Sequence, residues 1–95
     1  MILNIRISSG VAEPGDLKKL ATFLPEAGGT EGVIVSGRLP VWAYGAVIHH
    51  FHPRPWVATF DPRLGGGVVV ASHTKRVEIG DIIPLDGHEE VEITF

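Results

Sequence analysis

Three apolar residues in a row, Val33, Ile34 and Val35, limit the fold more than any other stretch of the chain. A run this short, closed by the turn residues of "SGRLP", reads as a strand buried on both faces. Such strands sit inside parallel sheets under helices. The flanking residues supply the helices. "EPGDLKKLATFL" places Pro14 and Asp16 where a first helical turn favours them, and Leu17, Leu20, Phe23 and Leu24 form an apolar stripe. This predicts a helix over residues 14 to 24, ended by "PEAGGTEG". A second helix is predicted from Pro40 to about Phe51, with Val41, Tyr44, Val47, Ile48 and Phe51 as its apolar face. "PRP" stops it.

The rest of the chain reads as strands. Residues 3 to 8 alternate, with Leu3, Ile5 and Ile7 on one face and Asn4, Arg6 and Ser8 on the other, as in a half-buried strand. "WVATF" at 56 to 60 is a third strand. "DPRLGGG" is a turn, and "VVVAS" pairs back antiparallel as a fourth strand. "RVEIGDIIPL" is a short strand or an extended loop. "EVEITF" alternates and closes the sheet. The fold class is therefore α/β, one small domain over residues 1 to 95 in the order β-α-β-α-β-β-β. Two right-handed βαβ units give its parallel part, and the C-terminal strands give an antiparallel edge.

Composition narrows the function. The net charge is −3, so no bulk basic surface is available for double-stranded DNA or long RNA. A small anion held by a few placed groups remains allowed. The chain has no cysteine, which excludes disulfides and thiolate metal sites. "MILNIRISSG" lacks the pattern of a signal peptide, and no apolar run reaches the length of a membrane span. A soluble cytoplasmic protein is the expectation. The 44% hydrophobic content is high for 95 residues and favours sharing apolar surface with a partner subunit.

In open α/β sheets ligands bind at the carboxyl ends of the strands, where two stretches carry suitable chemistry. In "SGRLP", Ser36 offers a hydroxyl, Gly37 a tight turn and Arg38 a planar cation, beside the free N–H groups that open the second helix. Taken alone, it is a glycine turn with a solvated arginine. In "DPR", Asp61 can serve as base or metal ligand and Arg63 can grip a phosphate. Taken alone, it is a type I turn with Asp61 bonding its own backbone. Convergence on one edge favours function for both. His49 and His52, spaced i, i+3, can meet one metal or phosphate, or simply favour the helix dipole. Trp42 and Tyr44 read as core or interface residues, with adenine stacking as the functional alternative. His50 lies on a different face of the helix and is the weakest candidate of the three, and His88, in "DGHEE", reads as a surface loop residue.

Chain direction then separates these groups. The second helix runs back to the amino edge of the sheet, so His49 and His52 lie there. Strand 3 carries the chain forward to Asp61 over roughly 16 Å, at about 3.3 Å per residue. His73, at the end of an antiparallel strand 4, returns to the amino edge beside His52. His52 and Asp61 can therefore share a phosphodiester only across subunits, in a heterologous contact that closes as a ring or grows as a filament.

"GVIVSGRLPVW", His49-x-x-His52, "PWVATFDPRLG", "VVVASH" and "GDII" resemble the small CRISPR-associated proteins of the Csx-three type, ring nucleases that degrade cyclic tetra-adenylate. The resemblance is close over residues 32 to 83. It implies a compact α/β domain distantly similar to the Rossmann-like nucleotide-sensing domains of CRISPR effectors. It also implies dimers that sandwich the cyclic nucleotide as they stack, giving tetramers or filaments. Cleavage of the phosphodiester would depend on Mn²⁺, with Mg²⁺ the second candidate. The family's active histidine falls on His52 and its aspartate, with any metal, on Asp61. Arg63, His49, His73 and the motif residues Ser36, Gly37 and Arg38 fall on ligand-binding positions. "GGG" at 65 to 67 is one residue longer than the family's usual turn. Some relatives carry a fused kinase-like domain, and no such domain is expected here. The competing readings are a manganese-dependent exonuclease acting on RNA 3′ ends, against which the acidic balance weighs, and a module that binds the nucleotide without cutting it.

Overall fold

In a computed structural model of the chain, residues 1–8 and 12–94 are described. Among these residues, six strands form one mixed sheet: β1 (Ile2–Arg6), β2 (Val33–Ser36), β3 (Trp56–Asp61), β4 (Gly66–Ser72), β5 (Ile82–Pro84) and β6 (Glu90–Thr94). Two helices, α1 (Leu17–Phe23) and α2 (Val41–His50), fill the first two crossovers. A 3-10 turn at Pro14–Asp16 precedes α1, so the first predicted helix is real but its opening turn is wound tighter. There the Asp16 carboxylate accepts from the Glu13 backbone N–H at 2.9 Å.

The sheet order is β5-β4-β3-β2-β1-β6. Strands β6, β1, β2 and β3 run parallel, while β4 and β5 turn back antiparallel. The α/β class and the parallel block around "VIV" are as the sequence predicts. The last strand corrects the prediction. It does not extend the antiparallel edge but crosses to the far side and pairs in parallel with β1. The reason lies in its alternation. Val91 and Ile93 stand opposite Leu3 and Ile5, so β6 closes a β1 flank whose apolar residues would otherwise be open. "RVEIGDIIPL" resolves into the short edge strand β5, which ends at Pro84, a residue with no N–H to continue a ladder.

Both helices pack on one face of the sheet. There Leu20, Val47 and Phe51 meet Leu3, Ile5, Val33, Val35, Val57 and Ile93 in the main core. Phe51 is fully buried, so truncating it to Ala should cost about 3–5 kcal/mol. Val41, assigned above to this face, is instead 87% exposed, and Ala43 takes its place inward. As the first helical residue, Val41 has no preceding turn to lean on and points to solvent. The opposite face has a smaller apolar row, Ile2, Ile34, Ala58 and Val69, covered by Val77, Ile83 and Leu85.

Arg54 explains how the chain turns from α2 into β3. This buried guanidinium donates to the carbonyls of Glu26 at 2.8 Å, Ala27 at 3.1 Å and Glu31 at 3.3 Å, and lies over the Phe51 ring. It pins the loop before β2 to the end of α2. Read as a helix-stopping "PRP", this arginine gave no sign of its role. His50 aids the same loop through a 2.7 Å contact between its Nε2 and the Pro25 carbonyl. Among the described residues, no helix is long and apolar enough to cross a membrane.

Candidate functional site

A cavity of about 600 Å³ opens at the carboxyl ends of β1, β2 and β3. Ser36, Gly37 and Arg38 line it from the loop after β2, and Phe60 and Pro62 from the end of β3. The loop is shaped by Gly37. Its φ of +132° lies outside the range that L side chains favour, and a Cβ there would stand 2.2 Å from the Ile5 carbonyl oxygen. Any side chain would push the loop off β1.

Tyr44 holds the loop from the other side. Its phenol donates a 2.5 Å hydrogen bond to the Gly37 carbonyl, and burial pushes the phenol's pKa up, so the group stays protonated and donating through the neutral range. The sequence reading placed Tyr44 in core or interface. A tyrosine in the first turn of the helix that follows a glycine loop was the available signal. Ser36 and Arg38, by contrast, make no side-chain hydrogen bond or ion pair among the described residues. Their polar groups face the cavity unspent, next to the start of α2, where the Pro40 N-cap provides no side-chain cap.

Asp61 ends β3 at the same edge. Its carboxylate accepts from the Arg63 backbone N–H at 2.9 Å and from Arg63 Nη2 at 3.3 Å. Its carbonyl accepts from Leu64 at 3.1 Å and Gly65 at 3.0 Å, closing the turn. The turn-forming reading of "DPR" is thus realised, and it leaves the carboxylate partly exposed. The Arg63 guanidinium, followed by the Arg63 amide, holds that carboxyl below the usual carboxylate range. Asp61 is ionised at neutral pH and suits binding a cation or orienting water better than giving up a proton.

The histidines lie at the opposite edge. Trp42, Gly45, His49 and His52 are all exposed, along one side of α2 and its extension. His73, after β4, donates its backbone N–H to the Pro55 carbonyl at 2.8 Å. Its Nε2 contacts the His52 carbonyl at 2.9 Å, and because a carbonyl only accepts, this nitrogen carries the proton. The two imidazoles meet edge to face, 4.8 Å between centroids. His52 and His73 come together, while Asp61 lies a full strand away. His88, read as a surface residue, is half-buried with its ring edge on Trp56.

The chain matches the family described as CRISPR-associated protein (Cas_csx3) over residues 5–84. It is also 44% identical over 76 residues to an uncharacterized protein of Aquifex aeolicus (strain VF5), a match covering 78% of this chain and 68% of that one. The family match contains both edges of the sheet, from Ser36 to His73, together with the strand that separates them. By this extent of matching, the chain belongs to the CRISPR-associated Cas_csx3 family.

Proposed function

We propose that the protein is a ring nuclease: a phosphodiesterase that opens cyclic tetra-adenylate to linear oligoadenylates and so ends type III CRISPR signalling. One observation carries the reading. Anion-binding groups and a carboxylate lie at one edge of the sheet, paired histidines lie at the other, and neither edge alone completes a hydrolytic site. Stacking subunits head to tail, into tetramers or filaments, would bring the edges together.

In such a stack, Ser36, Arg38 and the opening amides of α2 hold phosphates of the ring. Arg63 turns from Asp61 to the scissile phosphate, where it offsets developing charge. Its release frees the ionised Asp61 carboxylate to orient the attacking water and take up its proton as the new P–O bond forms. His52 of the neighbouring subunit donates a proton to the leaving oxygen, with His73 fixing the backbone beneath it. His49, on the same exposed side, reaches a flanking phosphate.

The family resemblance adds Mn²⁺ or Mg²⁺. Among the described residues of one chain, no three His, Cys, Asp or Glu side chains converge on a common point, and both Asp61 oxygens already accept from Arg63. The described residues of a single chain therefore supply no complete ligand set. Asp61 would become a ligand only with donors from a second subunit, and the ion held there would offset charge on the phosphate.

Incubation with cyclic tetra-adenylate and Mn²⁺ tests the proposal. Linear products are expected, at a rate rising more than linearly with protein concentration. A ring left intact at high protein concentration would overturn it, and faster shortening of linear poly-A RNA would favour the exonuclease alternative.

A further inference from the structure

The helix-free face of the sheet extends the cavity in a direction that the phosphate-binding groups do not explain. Asn4 pairs in register with Ser36, and Val35 with Thr59, so the next step sets Ser36 opposite Phe60. The three form one row across β1, β2 and β3, on the face away from the helices, and all three line the cavity. At about 4.8 Å per strand, Asn4 and Phe60 lie roughly 10 Å apart. The row behind them, Ile2, Ile34 and Ala58, is apolar and closed.

Phe60 is only half-buried. One part packs on the Ile34 and Val69 cluster, and its partner across the β3–β4 ladder is Gly67, which adds no side chain directly opposite it. Asn4 is half-buried and makes no side-chain hydrogen bond among the described residues. An aromatic face held from behind and open in front suits stacking, to which any base responds. A carboxamide presents a donor and an acceptor side by side, the complement of an adenine edge.

From this row we infer that Phe60 and Asn4 form a nucleobase subsite, with Phe60 stacking one adenine and Asn4 reading its edge. The inference rests on the proposed nucleotide-binding role and adds to it a source of base identity, which phosphate contacts alone do not supply. The two residues divide the work. Phe60 sets affinity without preference among bases, and Asn4 sets the preference.

The test measures binding and cleavage of cyclic tetra-adenylate and cyclic tetra-uridylate by the full chain. Phe60→Leu should raise KM and Kd for the adenylate ring about 5- to 150-fold, with kcat at saturation nearly unchanged. Phe60→Tyr, which restores a ring, should recover most of that loss, and thermal melting separates loss of stacking from loss of fold. Asn4→Ala should reduce the preference for adenylate over uridylate while leaving the uridylate Kd unchanged. A Phe60→Leu protein that cuts the ring with the original KM would overturn the subsite and leave the nuclease reading standing. Binding that depends on Phe60 without any cleavage would do the reverse, and no binding of the ring at all would sink both.

Discussion

The two edges of the sheet are built on opposite plans. At the carboxyl edge, Ser36, Arg38 and Asn4 face a cavity with their polar groups unspent, around a loop locked by Gly37 and Tyr44. At the amino edge, His73 is tied to the His52 carbonyl, and the rings of the two residues pack together on an exposed surface. One edge is a recess lined by unused polar groups. The other presents two packed imidazoles on an exposed surface. Strand β3 holds them apart at fixed length, so the proposed function requires them to meet between molecules. The carboxyl edge carries the Asp61 carboxylate, held ionised by Arg63, and the amino edge carries the paired imidazoles of His52 and His73.

Substitutions that remove one edge should break this comparison most severely. His52→Ala should lower the rate of ring opening about 10²- to 10⁴-fold, as loss of a proton-transferring group does, without weakening ring binding at the carboxyl edge. Single-turnover cleavage together with a binding titration checks both parts. Gly37→Ala attacks the recess itself. A Cβ forced against the Ile5 carbonyl displaces Ser36 and Arg38, and a shift of about 1 Å should cost on the order of 100-fold in kcat/KM while leaving the His52–His73 contact intact. NMR signals of the two imidazoles would report that separation.

Smaller changes sharpen it. Tyr44→Phe removes one hydrogen bond to the Gly37 carbonyl and should weaken ring binding about five-fold, corresponding to about 1 kcal/mol. The smallest effect concerns Asp61 and acid. Its depressed pKa means that the Arg63 pair is formed above the ordinary carboxylate value of 3.8 and is lost as pH falls through the lower folded value. Any melting difference between the protein and Asp61→Asn should therefore be constant through the neutral range and vanish in strong acid. The pair is exposed, so that difference should be slight. Asp61 should likewise contribute no limb to the pH–rate profile between pH 5 and 8.

Much of this arrangement was legible in the sequence because it depends on chain direction. "VIV" required a buried parallel strand, the helices followed from periodicity, and the edge on which each motif falls followed from counting reversals. Contacts between distant segments were not legible. Nothing local in "EVEITF" says that it pairs with β1 rather than β5, since alternation fixes a face but not a neighbour. Arg54 reads as an ordinary polar residue until three carbonyls from 23 to 28 positions earlier close around it. Tyr44 was seen as apolar, and its hydroxyl mattered only once the loop geometry was known. Asn4 and Phe60 lie 56 positions apart, and only strand register sets them in one row.

Mixing two inactive variants tests the central claim most directly. His52→Ala keeps a complete carboxyl edge, and Asp61→Ala keeps a complete amino edge. Each alone should open cyclic tetra-adenylate at least about 100-fold more slowly than the original protein. Mixed in equal amounts, they should regain a measurable part of the original rate, because a stack can then join an intact edge of each. If the two variants still assemble and bind the ring, yet the mixture remains as inactive as its parts, His52 and Asp61 do not act across subunits and the composite site is wrong.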